Sequence, residues 1–152
     1  MNLGDEIIRF FQDQGFVLIA TIDDKGYPHV SCKGIVDISP DGKVYLMDVF
    51  RKKTHDNLLR NGKVSISAVN EHNFVGYCLK GKGSILPEEE LKPEIIRAWE
   101  DRITGRLAQR LLKNIREEKS HNRHPEALLP KPEYLLVVDV EEIVNLAPPH
   151  LK

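Results

Sequence analysis

Residues 16–49 hold three β-prone runs cut by two tight-turn tetrads, and this spacing commits the first third of the chain to a hairpin-linked sheet. Phe16 to Ile22 is apolar and β-branched. Asp23-Asp24-Lys25-Gly26 supplies turn chemistry, with Gly26 able to take positive φ. His29 to Ile38 reads as a second strand that pairs with the first. Ser39-Pro40-Asp41-Gly42 is the next turn, and Lys43 to Val49 is the third strand. Val64, Ile66 and Ala68 alternate with polar residues as a fourth strand, Glu71-His72-Asn73 is a loop, and Phe74 to Ile85 is a fifth strand. Gly76, Gly81 and Gly83 inside that fifth run predict bulges or bends of the kind that let a sheet close on itself. Tyr134 to Val144 returns to strand, and Pro148-Pro149 is expected to end order.

Helical patterns stand between the strands. Leu3, Ile7, Ile8, Phe10 and Phe11 fall near helical spacing until Gly15 stops them. A short helix at about 54–60 is expected to end in an αL turn at Asn61-Gly62. Over 88–119, Leu91, Ile95, Trp99, Ile103, Leu107, Leu111 and Ile115 recur every four residues, which predicts helix, broken near Thr104-Gly105. The stretch from His121 to Pro132 reads as a polar, then proline-bearing connector. Six hairpin-linked strands with one helical excursion make a mainly β chain. It is a six-stranded antiparallel barrel with flanking helices, one domain over 1–152, and a helical insertion at about 88–119 before the last strand.

Charge and composition exclude some partners. Lys plus Arg total 22 and Asp plus Glu 23, so the net charge of −1 gives no global pull toward nucleic acid or an anionic membrane. No apolar run approaches the roughly 20 residues of a membrane span. The start, Met1-Asn2-Leu3-Gly4-Asp5-Glu6, lacks a basic region followed by an apolar stretch, so no signal peptide is expected. Cys32 and Cys78 lie in predicted strands without Cys-x-x-Cys spacing, so they are expected to be buried free thiols, and the protein cytoplasmic.

Any anion site must then be local, and one segment has the chemistry for it. Phe50-Arg51-Lys52-Lys53-Thr54-His55-Asp56-Asn57-Leu58-Leu59-Arg60 runs from the end of a strand into a short helix. A helix start leaves backbone N–H groups unpaired and partly positive. Thr54 can cap that start through its hydroxyl, and Arg51, Lys52 and Lys53 add full positive charge against the dipole preference. Such a set can hold a phosphate; the alternative is a solvated basic turn before a surface helix. Other sites are weaker. His121 and His124 could ligate a metal, but Lys119 and Arg123 beside them favour a solvated loop, and no metal is expected. Cys32 has His29 and Lys33 near it in sequence, yet a packed thiol fits better than a nucleophile. Trp99 reads as core or as a dimer contact.

These residues together resemble the FMN-binding split-barrel family, which contains pyridoxamine 5′-phosphate oxidase and small flavin-carrying proteins. The likeness rests on Asp24-Lys25-Gly26-Tyr27-Pro28-His29-Val30, the Asp41-Gly42 turn, and the run Arg51-Lys52-Lys53-Thr54 through Asn57-Leu58 and Asn61. Val64-Ser65-Ile66 and Lys80-Gly81-Lys82-Gly83 add to it. It covers roughly residues 4–86, and Tyr134 to Leu146 resembles the closing strand.

The resemblance implies a split barrel that binds FMN and takes part in redox chemistry, as an oxidoreductase or an electron carrier. Lys53 and Thr54 would make the main phosphate contacts, with Lys52 or Arg51 assisting. Ser31, Cys32 and Lys33 on the second strand would run beside the flavin, with Lys33 a candidate for the positive group near the ring. Met47, Asp48 and Val49 would offer backbone groups to the ring's polar edge. It also implies a homodimer, with flavins in two symmetric clefts, acting on a small molecule or a redox protein. Alternatives on the same fold are a deazaflavin-dependent reductase and a non-enzymatic haem- or flavin-binding module, where His29, His55 or His72 would have to ligate the haem. Two departures argue against pyridoxamine 5′-phosphate oxidase activity itself. The C-terminal Ile143-Val144-Asn145-Leu146-Ala147-Pro148-Pro149 lacks that enzyme's arginine- and tryptophan-bearing pattern, and Gly76-Tyr77 stand where many relatives place a ring-contacting glutamine.

Overall fold

The structure is a computed structural model and describes residues 1–48, 52–117 and 133–151, with the backbone alone described over 106–117. The six strands are β1 (Val17–Ile22), β2 (Pro28–Ile38), β3 (Lys43–Met47), β4 (Lys63–Asn70), β5 (Val75–Pro87) and β6 (Tyr134–Asn145). The helices are α1 (Asp5–Gln12), α2 (Lys53–Arg60) and α3 (Pro93–Glu117). The strands form a closed antiparallel barrel in the order β1-β2-β3-β6-β5-β4. This is the six-stranded barrel with flanking helices that the strand pattern predicts.

Irregular register lets so short a sheet close. Between Ile35 and Asp37 the β2–β3 pairing shifts, leaving Val36 as the extra residue. Ile35 and Ile38 therefore both reach the barrel core, while Val36 joins a second apolar cluster with Met47, Leu135 and Ile95 of α3. A second shift follows Lys80, where Gly81 meets Val140 and Glu141 is left over. A Cβ on Gly81 would run into the Asp139 carbonyl, so this bend requires glycine. The irregularity expected at the β5 glycines is thus present at Gly81, with the extra residue, Glu141, on β6.

The barrel interior is filled by Val17, Ile19, Ile35, Val44, Leu46, Ile66, Leu79, Leu136 and Val138, all nearly free of solvent. Helix α2 packs on β1, β2 and β5 through Thr54, Asn57 and Leu58. It comes so close to β5 that a Cβ on Gly83 would lie 2.7 Å from Leu58 Cδ2. Helix α1 joins the same core through Ile8 and Phe11. Its Glu6 accepts a hydrogen bond from Tyr77 OH at 2.9 Å, and Phe10 meets the Tyr77 ring edge-on at 5.2 Å. Helix α3 lies on the opposite side of the sheet, on Val36, Met47 and Leu135. Trp99 is partly buried there and donates from Nε1 to Met47 Sδ at 3.2 Å.

Several local expectations are corrected. Helix α3 runs unbroken through Thr104-Gly105 for 25 residues: one glycine costs about 1 kcal/mol, which a long helix with a packed face absorbs. Asn61 is extended (φ −144°), not left-handed, because β4 begins two residues later and the chain leaves α2 already in strand geometry. After Pro148 the chain makes a short 3₁₀ turn, Pro149–Leu151, instead of losing order. Both cysteines are free, but Cys32 is exposed and Cys78 half-buried, since each stands on the outward side of its strand. No described helix is long and apolar enough to cross a membrane. The connector 121–132, with His121 and His124, and the side chains of Leu107, Leu111 and Ile115 lie outside the described residues.

Candidate functional site

The start of α2 and the adjoining ends of β2, β3 and β6 bring together most of the polar side chains that the barrel buries. Antiparallel pairing sets Ser31 opposite Ile19 and Lys33 opposite Val17, so both face inward, while Cys32 opposite Leu18 faces out. Thr54 Oγ1 lies 2.9 Å from Ser31 Oγ and is 3 % exposed. The expected Thr54 cap is therefore corrected. The residue before the helix is Lys52, its side chain makes no cap bond, and the Thr54 hydroxyl is turned onto β2. Lys52 and Lys53 are exposed at this start. The Lys53 charge also reaches Asp23: the Asp23 carboxyl is held below its usual range mainly by the Tyr27 N–H, then by the Lys25 N–H, with Lys53 and Lys25 adding to it against desolvation.

One turn along α2, Asn57 is 2 % exposed and donates from Nδ2 to Thr21 Oγ1 at 3.0 Å, while its Oδ1 accepts from Arg60 at 3.1 Å. Thr54 and Asn57 are thus two polar latches holding α2 to β2 and β1. The sequence pattern marks Thr54 for the site and gives Asn57, a residue of the same motif, no partner.

Asp48 stands at the end of β3 with its side chain 1 % exposed, accepting from Lys33 Nζ at 2.6 Å and from Tyr134 OH at 2.7 Å. The His55 ring meets the Tyr134 ring edge-on at 5.1 Å, which ties the first turn of α2 to this pair. The resemblance implies only backbone groups for Asp48, and the sequence pattern makes Tyr134 only the start of the closing strand. No local signal could have joined them, because they are 86 positions apart.

The candidate residues therefore divide. Ser31, Lys33, Asp48, Lys52, Lys53 and Thr54 gather around the start of α2 and the inward side of β2. Cys32 is on the outer face. Met47 directs its side chain under α3 and sits in a strand paired on both sides. Val49 and Arg51 lie outside the described residues. Among the described residues no group of three or more His, Cys, Asp or Glu stands together as a metal site. On the outer face, Gln14, Phe16, Leu18, Ser67, Val69 and His72 help line an open groove of about 510 Å³.

Solved structures share this architecture. HupZ of Group A Streptococcus superposes with a TM-score of 0.65 at 19% identity, covering 95% of both chains. An F420 reductase gives 0.56 at 16% identity, covering 95% of this chain and 98% of its own. HutZ, the heme storage protein from Vibrio cholerae, gives 0.54 at 20% identity, covering 95% of this chain and 94% of its own. At these identities the likeness shows the fold alone. None of the curated proteins matches the chain by sequence. The sequence profile of one family matches residues 3–144, nearly the whole barrel and its helices, and by that match the chain belongs to the pyridoxamine 5′-phosphate oxidase family.

Proposed function

We propose that this protein binds FMN at the start of α2 and serves, as a cytoplasmic homodimer, as a flavin-dependent oxidoreductase or electron carrier for a small molecule or a redox-protein partner. One observation carries the reading: Lys52 and Lys53 stand exposed at a helix start whose N-cap residue makes no side-chain cap bond. Cations there oppose the helix dipole, and a phosphate dianion would reverse that conflict by accepting from lysines and backbone N–H groups alike. The residues present fit such a group. Lys53 and Lys52 would hold the phosphate with the first-turn N–H groups. Thr54 would act through its bond to Ser31, fixing the helix start on β2. When bound, FMN supplies hydride or electron transfer, and the protein binds, orients and tunes it.

The homodimer is supported by the outer face of β1, β2 and β4. Leu18, Val30 and Val69 are 45 %, 54 % and 65 % exposed there, beside the smaller Ser67 and Cys32. Exposed apolar surface of this kind marks an interaction site, and two-fold symmetry is the commonest way for a second copy to cover it.

Titration of the purified protein with FMN and with riboflavin tests the cofactor. Each charge-assisted hydrogen bond to the phosphate contributes about 1.5–3 kcal/mol. Two of them should favour FMN by roughly two orders of magnitude or more. Equal affinity for the two ligands would sink the reading. A haem or deazaflavin absorbance in the freshly purified protein would assign the cleft to those cofactors instead.

A further inference from the structure

Tyr134 grips both sides of the connection between β3 and α2. Its hydroxyl donates at 2.7 Å to Asp48, directly after β3, and its ring meets the His55 ring edge-on at 5.1 Å in the first turn of α2. Tyr134 is 3 % exposed and opens β6, so it holds both groups from the barrel wall. Asp48 is fixed from a second side by Lys33 Nζ of β2 at 2.6 Å. Such a buried ion pair adds little net stability, because desolvation offsets most of the attraction, but it does fix position. Helix α2 has eight residues, too few to stay helical in water alone, so its place comes from its contacts. Thr54 bonds Ser31 of β2, His55 meets Tyr134 of β6, and Asn57 bonds Thr21 of β1. Contacts on three different strands fix a short helix in position and in rotation, and the first two lie beside Lys52 and Lys53.

We infer that Tyr134 is a positioning residue for the phosphate site: through His55 it sets the start of α2, and through Asp48 it sets the end of β3 from which the chain approaches that helix. This rests on the FMN reading and adds to it a residue of the last strand. Holding the helix start in place before the ligand arrives removes that ordering cost from the binding step. Tyr134 and His55 touch no ligand in this role. They act only through the placement of Lys53 and the first-turn N–H groups, so their effect falls on the phosphate end of FMN and spares the rest of the molecule.

The test is the affinity of the full chain for FMN and for riboflavin in the wild type, Tyr134→Phe, His55→Leu and His55→Phe. Tyr134→Phe keeps the ring on His55 and leaves Asp48 its bond to Lys33, while its lost hydroxyl should weaken FMN about threefold. His55→Leu removes the ring contact from the helix side and should weaken FMN by about the same factor. His55→Phe restores an aromatic edge and should return FMN affinity to the wild-type value. Riboflavin, which has no phosphate, should bind all four proteins alike. Equal losses for FMN and riboflavin would make the role purely structural and overturn this inference. Unchanged FMN affinity in Tyr134→Phe and His55→Leu overturns it too and leaves the FMN reading standing. A His55→Phe protein as weak as His55→Leu would put the imidazole on the ligand itself and overturn the positioning route. Should Tyr134→Phe fail to fold, the two His55 variants, on a half-buried helix position, decide alone. A wild type that takes up no FMN, or binds riboflavin as tightly, overturns the FMN reading and this inference with it.

Discussion

Thr54 Oγ1 and Ser31 Oγ lie 2.9 Å apart, and this bond turns the one hydroxyl in the first turn of α2 inward onto β2. The two residues that sequence pattern pairs as a phosphate site, Lys53 and Thr54, therefore have separate tasks. Lys53 is exposed and can meet a ligand, while Thr54 is buried and holds the helix.

Single substitutions should separate them. Lys53→Ala is expected to weaken FMN binding about tenfold, the loss of one charge-assisted contact, with little change in melting temperature. Thr54→Ala is expected to cost about 1 kcal/mol of stability by stranding Ser31. Thermal melts beside FMN titrations of both variants read the two effects. A Lys53→Ala protein with wild-type FMN affinity would place the phosphate elsewhere.

Asn57 is the stronger latch, since it bonds Thr21 and Arg60 at once and is nearly free of solvent. Asn57→Ala should cost about 1–3 kcal/mol, because the Thr21 hydroxyl is left buried without its donor. In a chain of this length each kcal/mol lowers the melting temperature by about 2–4 °C. Asn57→Ala combined with Thr21→Val should cost less than the two added together. Additive losses in urea unfolding would contradict the latch.

Tyr77 links α1 to β5, and burial with the hydrogen bond to Glu6 raises its pKa above 10.0. Above pH 10 the unfolded chain releases this proton while the folded chain still holds it. The unfolded state then binds fewer protons, and stability falls as pH rises. The stabilisation is full below pH 10 and is lost as pH climbs through the folded value. Burial raises Tyr45 in the same direction. Tyr77→Phe should flatten part of the alkaline decline in a series of unfolding curves, and an unchanged slope would assign the decline to Tyr45 and other groups.

Leu18 tests the assembly. It stands on the outer face of β1 and lines the groove there. Leu18→Glu should convert a dimer to a monomer in sedimentation at micromolar concentration, with the far-UV spectrum retained. A wild-type monomer that still holds FMN would replace the shared cleft with a self-contained one.

The strands were legible because alternation and turn chemistry are local. Asp23-Asp24-Lys25-Gly26 makes its turn through Asp23 Oδ1, which accepts from the Lys25 and Tyr27 N–H groups, all within five residues. Gly81 marked the bend opposite the Glu141 bulge because no other residue fits against the Asp139 backbone. Helix ends were less legible. A cap, an αL stop or a break at Gly105 depends on what the next element permits, and that lies outside the local pattern.

Six strands, the helical insertion and a cationic helix start can be read from the chain because each is a property of side chains within a few residues of one another. What those side chains do follows from the folded barrel. It placed Ser31 beside Thr54 across 23 positions and Tyr134 beside Asp48 across 86. It also sent Cys32 out while Ser31 and Lys33 went in. The physical reason is that a closed barrel fixes which strand neighbours which, and strand neighbours decide which polar group a buried hydroxyl or carboxylate can reach.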